Sequence, residues 1–341
     1  MFAADLHEAL ERLGAEVRTV ALEAASSAVD LGFDVMGPRR RSARTLSSLR
    51  RAIRESSVVV GHGSTTLPMC ALASTGSRVP FVYRQISQQQ FWANTPARRV
   101  RTRLALRATT HVTALWAGAA DTLTECFGVE PDRISIVPNG VPVDRCPAVD
   151  ESRRRAAKRS MGVDLDRPVL LSIGALVPEK GVDILVEAMR NPPLRGWQLL
   201  IVGRGPEEGR LRGMAGSYDG RVVVFHEPVS SGAEAIAAAD VLALTSRGGD
   251  SMPAVLIEAG MMGVPSVATP VEGIVDIVLD GHTGRLVPLD DPGATAEAVA
   301  DVFETRDQFG SQAAEHCRQR FEIGSVAKRW LAVLDYARVS S

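Results

Sequence analysis

Asp250 and Glu258 stand eight residues apart in "GGDSMPAVLIEAGMMGVPSVAT" (248–269), and Lys180 opens "KGVDILVEAM" (180–189). With Pro253 at the first position of a helix, Glu258 falls among Val255, Leu256, Ile257, Met261 and Met262, on a segment apolar nearly all round. An ionised carboxylate buried there needs donors or a ligand that supplies them. Asp250 in the preceding loop and Glu258 two turns into the helix can face one cleft, with the helix N-terminus between them. That arrangement fits a diphosphate at the positive end of the helix, a ribose on one carboxylate and a second hydroxylated ring on the other. Lys180 at a helix start suits a phosphate for the same reason, and Gly203 and Gly205 in "IVGRGPEEGR" permit close backbone approach. Plain alternatives stand beside these. Asp and Ser before a helix are common caps without function. "GRGPEEG" also lacks the third glycine of a dinucleotide fingerprint, since Glu208 takes its place.

The elements that must position these residues are legible as alternating strands and helices. Short apolar, β-branched runs occur at 17–22, 58–63, 79–84, 111–116 and 134–140, and a second series at 168–174, 197–203, 221–226, 241–246, 265–269 and 284–288. Continuous apolar strands separated by helices predict parallel sheets covered on both faces, and two series predict two doubly wound α/β domains. The charged, Pro-containing segment 146–168 interrupts them, with a linker expected at its start. Ligands of such sheets sit outside the carboxyl ends of the strands, which is where Lys180, Gly203, Gly205, Asp250 and Ser251 fall.

Composition narrows the class. The chain has 341 residues and a net charge of −1, enough for two ordinary domains. No apolar run is long enough to span a bilayer, and the acidic, amphipathic start "MFAADLHEALERLGAEV" differs from a secretion signal, so a cytoplasmic protein is expected. Cys70, Cys126, Cys146 and Cys317 lack CxxC spacing and read as buried free thiols. Residues 1–147 hold 18 arginines, no lysine and 13 acids, whereas the remainder carries an acidic excess. The arginines cluster in "RRRSARTLSSLRRAIR" (39–54) and "RRVRTRLALR" (98–107) on amphipathic patterns. Solvated helix faces are the simple reading; attraction to anionic lipid or a phosphorylated acceptor is the other. No aromatic platform or recognition motif accompanies them, so nucleic acid is not expected as a partner.

Together these blocks resemble a known family. "SRGGDSMPAVLIEAGMMGVPSVAT" followed by "GIVDIVLDGHTGRLVP", with "LLSIGALVPEKGVDILVEAM", "IVGRGPEEGRL", "AIAAADVLALTS" and "ALWAGAADTLTECFGVEPDRISIVPNGV", is similar to the blocks of retaining GT-B glycosyltransferases of glycosyltransferase family 4. The resemblance covers nearly the whole chain. It implies two Rossmann-like domains with an interdomain cleft: an acceptor-side domain at 1–147, a nucleotide-sugar domain at 148–322, and a C-terminal helix, 323–341, crossing back to the first. It implies transfer of a sugar from a nucleotide diphosphate sugar to a sugar-containing or lipid-linked acceptor, with retention, no cofactor and no metal. Glu258 matches the family's ribose-binding carboxylate, Asp250 its donor-sugar acid, here one methylene shorter, and Lys180 its diphosphate lysine. Gly174, Arg204, His226, Ser251, Met252 and Pro253 complete the implied donor site.

Departures from the family pattern qualify the expectation. Where the family commonly has an arginine beside the lysine block, this chain has Gly174, Ala175 and Leu176, so Arg204 or Arg247 is a candidate replacement. Where many members carry a histidine, the chain reads Tyr83, Arg84, Gln85, and Arg84 becomes a candidate contact for an anionic acceptor. His62, at the end of a strand facing the cleft, is a second acceptor-side candidate. His7, His111, His282 and His316 read as structural. The chain also begins inside the helix that in the family follows a first strand and a glycine-rich loop, which predicts exposed sheet edges and a less stable first domain. Two rival functions follow: a non-catalytic sugar-nucleotide-binding or partner subunit on the same scaffold, and a GT-B sugar-nucleotide epimerase.

Overall fold

The computed structural model describes residues 2–24, 33–87, 93–216, 218, 222–228 and 232–339. These form two units, one of residues 1–140 with 323–341 and the other of residues 141–322.

In the first unit, strands β1 (Val20–Ala21) and β2 (Asp34–Val35) pair as one small parallel sheet. β3 (Val59–His62), β4 (Phe81–Arg84), β5 (His111–Ala114) and β6 (Ile134–Ile136) form a second parallel sheet in chain order. The central strands β4 and β5 are buried along their whole length, polar Arg84, His111 and Thr113 included. The helix Phe2–Arg12 lays Leu6, Ala9 and Leu10 on the helix Ile323–Val339, whose Ile323, Val326, Ala327, Trp330, Val333 and Ala337 form one stripe. Burial of each large side chain in this stripe contributes about 1.5–3 kcal/mol. Gly140 permits the approach, because a Cβ there would lie 3.1 Å from the Ile323 Cα.

The second unit holds a six-stranded parallel sheet: β7 (Val169–Ile173), β8 (Gln198–Val202), β9 (Val223–His226), β10 (Val241–Leu244), β11 (Ser266–Ala268) and β12 (Gly284–Leu286), in the spatial order β12-β11-β10-β7-β8-β9. Chain order runs outward from β7 on one side and from β10 on the other. The β7/β10 neighbours are therefore a topological switch point, the place where a doubly wound sheet opens a crevice for a ligand.

Each expected strand is present but shorter, "VRTVAL" shrinking to Val20–Ala21, and β2 was not expected, because its two paired residues carry no periodic signal. The expected strand 221–226 starts on a residue outside the described set. The charged segment after 146 contains a helix, Glu151–Ser160, capped by the Asp150 side chain on the Arg153 N–H; Lys158 in it is buried and pairs with Asp240 at 3.1 Å. Pro253 sits one residue before the helix Ala254–Met261, as its N-cap in extended conformation, and not at its first position.

Candidate functional site

The loops after β7 and β10 are locked together by backbone. Gly181 has φ of 61°, and a Cβ there would lie 2.1 Å from the Thr245 carbonyl oxygen, so only glycine fits. The Thr245 hydroxyl donates to the Gly181 carbonyl at 2.8 Å. This contact brings Lys180, just before Gly181, to Asp250, and the Lys180 ammonium donates to Asp250 Oδ1. The Ser246 hydroxyl donates to the other carboxylate oxygen, Oδ2. Asp250 and Ser251 do not cap the following helix, whose N-terminus receives no side-chain hydrogen bond. The capping alternative therefore fails, and Asp250 is spent on a lysine and a serine.

Two residues missed in the sequence hold this loop. Ser246 is fully buried; it ends a strand as one more small polar residue, and nothing in its spacing marks it. Glu272 accepts the Gly249 N–H at 2.9 Å, and the adjacent Gly273 N–H donates to the Ser251 carbonyl at 2.9 Å. Burial holds the Glu272 carboxyl above the usual range, against the Gly249 N–H and the Ser251 hydroxyl that favour its charge. Its φ of 50° places a non-glycine residue in the left-handed region, a strain of the kind stored at functional loops. An acid directly after a strand of the same sheet, in "TPVEG", was the available signal.

Glu258 is half-buried, so the premise of a carboxylate sealed in an apolar helix is corrected: the helix turns this one face outward from its core. Its position at the switch point follows from Gly232, where a Cβ would lie 3.5 Å from Glu258 Oε2 and 3.6 Å from Cδ1 of Ile173, the last residue of β7. Gly174 follows immediately, with φ of 150°, and the Gly203 backbone packs against its carbonyl so closely that a Cβ would lie 1.9 Å away. A Cβ on Gly205 would likewise lie 2.2 Å from the Leu176 carbonyl oxygen. Gly203 and Gly205 of "GRGPEEG" thus serve loop-on-loop packing.

Lys180, Asp250, Ser251, Met252, Pro253, Glu258 and Gly174 consequently gather at the ends of β7 and β10, with Met252 buried behind the loop. Arg204 and His226 lie one and two strands further out, after β8 and at the end of β9. Arg204 pairs with Glu227, and the His226 ring lies 2.8 Å from the Glu227 carbonyl, both exposed. Arg247 is committed elsewhere: its guanidinium bonds both oxygens of Asp183, at 3.0 and 3.1 Å, and Asp290 at 2.6 Å. Burial pushes the Asp183 carboxyl up, but these bonds and those of Arg210 outweigh it and hold it below the usual range.

The two acceptor-side candidates meet in the first unit. Arg84, buried, has Nη1 3.5 Å from His62 Nδ1, donates through Nη2 to Asn139 Oδ1, and stacks its guanidinium 3.7 Å from the centre of the Phe2 ring. Among the described residues the partners of Arg84 are these three, none a carboxylate, and its Nε has no acceptor. Burial lowers the Arg84 guanidinium to about 9, and burial with the Arg84 charge pushes the His62 imidazole down to about 3. Asn139 was also missed, being indistinguishable in sequence from a turn residue.

All four cysteines are free thiols; three are buried, but Cys126 is exposed on its helix, contrary to the expectation. His7, His111 and His316 bond Thr19, Ser135 and the Asp276 carbonyl. Among the described residues no cluster of metal ligands occurs, and no helix is long and apolar enough to cross a membrane.

These features define a two-unit α/β protein with a candidate site at the switch point of its second unit. Residues 1–145 match the family model described as Glycosyltransferase Family 4, and residues 167–305 that described as Glycosyl transferases group 1. The chain belongs to this family of glycosyltransferases. It is 35% identical over 216 residues to D-inositol 3-phosphate glycosyltransferase 2 of Catenulispora acidiphila, covering 58% of this chain and 49% of that protein. It is 34% identical over 207 residues to D-inositol 3-phosphate glycosyltransferase of Acidothermus cellulolyticus, covering 57% and 45%. The chain spans about half the length of the curated relatives it matches. In fold it resembles the glycosyltransferase from Rickettsia africae, with a TM-score of 0.81 at 15% identity over 98% of this chain and 94% of that one. It also resembles Anabaena Alr3699/HepE in complex with UDP-glucose, with a TM-score of 0.78 at 21% identity over 89% and 85%. The fold is GT-B, built of two Rossmann-like units.

Proposed function

We propose that the chain is a glycosyltransferase that moves a sugar from a nucleoside diphosphate sugar to an acceptor with retention of configuration and without a metal. The observation that carries this reading is the Lys180–Asp250 pair at the β7/β10 switch point, with Glu258 beside it. Lys180 offers the charge for a diphosphate, Asp250 and Glu258 offer acceptors for sugar and ribose hydroxyls. The relatives' printed names and the UDP-glucose complex of a protein with the same fold support a UDP-sugar donor and a phosphorylated cyclitol acceptor. In this mechanism no protein nucleophile is required. The leaving phosphate oxygen takes the acceptor proton on the face it departs from, while Lys180 stabilises the developing charge. Arg84, a buried cation without a carboxylate, and His62 beside it serve the acceptor.

The first unit is also proposed to touch anionic membrane. The helix Pro96–Arg107 exposes Val100 and Leu104, each 57%, on one face among arginines. Co-sedimentation with phosphatidylserine vesicles tests it: binding undiminished in the Val100→Asp, Leu104→Asp double variant would remove this helix from the contact.

The transfer reading is tested by incubating the protein with UDP-glucose and inositol 3-phosphate and assigning the product anomer by NMR. An α-linked product from the α-linked donor is expected. An inverted product, or calorimetry in which neither UDP nor GDP binds, overturns it.

A further inference from the structure

The second unit contains a cavity of about 450 Å³ that the reading above does not use. It lies between the start of the helix Glu151–Ser160, the first turns of the helix Arg306–Phe321, and Met262–Gly263. Met262 and Gly263 follow the C-terminal end of the helix Ala254–Met261, whose opposite end carries Asp250 and Pro253. Eight residues of helix separate the two by about 12 Å, so this is a different place from the Lys180 site.

Three guanidiniums line the cavity, and among the described residues none donates a hydrogen bond to a carboxylate, although Arg154 and Arg306 each have one in longer ion-pair range. Arg154 has a buried Nε without a hydrogen-bond acceptor among the described residues, 3.7 Å from Asp240 Oδ1. Asp240 is already engaged by Lys158 at 3.1 Å and the Val169 N–H at 2.9 Å. The Arg306 Nε is likewise buried and without an acceptor, and its nearest acid, Asp307, is 3.9 Å away and fully exposed, a pair worth little in water. Arg318 donates only to a neutral carbonyl, that of Met261, at 2.7 Å. The helix that starts at Arg306 has no side-chain cap, so its N-terminal charge adds to theirs.

The floor is bare backbone. A Cβ on Gly310 would lie 2.3 Å from the Gly263 carbonyl oxygen, so glycine is what lets the helix Arg306–Phe321 pack directly on the Met262–Gly263 turn and close the floor. The remaining polar lining is Ser311 with the exposed carboxylates of Glu151 and Asp307, which accept hydroxyls. No aromatic ring lines the cavity on which a nucleobase could stack. The size falls at the lower end of small-molecule sites. We infer that this cavity is a second binding site, for a soluble phosphorylated polyol, with the phosphate on Arg154, Arg306 and Arg318 and the hydroxyls on Glu151, Asp307 and Ser311.

The inference does not rest on the glycosyltransferase reading. Calorimetry of the full chain with glycerol 3-phosphate, inorganic phosphate and glycerol, with and without excess UDP, tests it. Binding of one glycerol 3-phosphate is expected, weaker for inorganic phosphate, absent for glycerol, and unaltered by UDP. Arg306→Gln and Arg318→Gln should each lower affinity about tenfold, the scale of one charge-assisted bond, in protein that circular dichroism shows to be folded at the temperature of the titration; Lys180→Ala should lower it not at all. Absence of glycerol 3-phosphate binding overturns the inference. So does binding that UDP displaces or Lys180→Ala abolishes while both arginine variants retain it. Failure of UDP to bind would sink the proposed function and leave this site standing.

Discussion

The Lys180 ammonium and the Asp250 carboxylate are joined across the carboxyl ends of β7 and β10, and each is held there by its own backbone contacts. On the proposed function the pair is a resting arrangement, and a diphosphate has to compete with Asp250 for the ammonium. Lys180→Ala should weaken UDP binding by roughly 1.5–3 kcal/mol, the scale of one charge-assisted hydrogen bond. Isothermal titration checks it, and unchanged affinity for both UDP and GDP would remove Lys180 from the site.

The same pairing separates the nucleotide from the sugar. Asp250→Asn removes the competing charge on Lys180 but keeps the side-chain shape, so UDP alone should bind as well as to the parent or better. UDP-glucose transfer should fall by about tenfold or more, because a neutral amide holds a sugar hydroxyl less strongly than a carboxylate does. Loss of UDP affinity together with transfer would mean that Asp250 only positions Lys180.

Metal dependence discriminates the chemistry. With Lys180 and the N-terminus of the helix Ala254–Met261 carrying the leaving-group charge, transfer or donor hydrolysis should persist in excess EDTA. A strict requirement for Mg²⁺ or Mn²⁺, restored by adding it back, would refute the mechanism.

The place of the candidate site was legible because strand ends are. The apolar runs located β7 and β10, and in a doubly wound sheet their loops carry the ligand, so Lys180, Asp250 and Glu258 could be named from types and spacing. What one chain could not show was which partner each polar group takes. Asp250 read equally well as a cap, and the close backbone approach that Gly203 and Gly205 allow is taken up by Gly174 and Leu176, which fill the space beside them. Glu272, Ser246 and Asn139 were missed because each acts through a contact made by a distant segment. β2 escaped for the opposite reason: two paired residues are too short for any period.

A pH dependence follows from the first unit. His62 is half-buried beside Arg84 and stays neutral down to about 3 when folded, whereas an unfolded imidazole takes up a proton near 6.5. Between these values the unfolded chain binds more protons, so stability falls as pH drops. From pH 7.5 to 5.5 this one group removes about 1.3 kcal/mol. Urea unfolding at both pH values, followed by tryptophan fluorescence, should show a smaller loss in His62→Asn than in the parent. Equal losses would mean that the imidazole titrates normally in the folded protein.

Glu258 offers the sharpest division between binding and structure. Glu258 is half-buried, with its carboxylate beside Gly232 near the end of β7. Glu258→Gln keeps the shape and one acceptor oxygen but removes the charge that strengthens bonds to two ribose hydroxyls, a loss of about 1–3 kcal/mol in nucleotide affinity. The ligand-free melting temperature should move less than the nucleotide affinity does, since glutamine keeps the size of glutamate and one acceptor oxygen at a half-buried position. Thermal shift with and without UDP measures both effects on one sample: the rise in melting temperature caused by UDP must shrink, by mass action, while the baseline holds. A fallen baseline with an undiminished rise would make Glu258 a structural acid and move the ribose elsewhere.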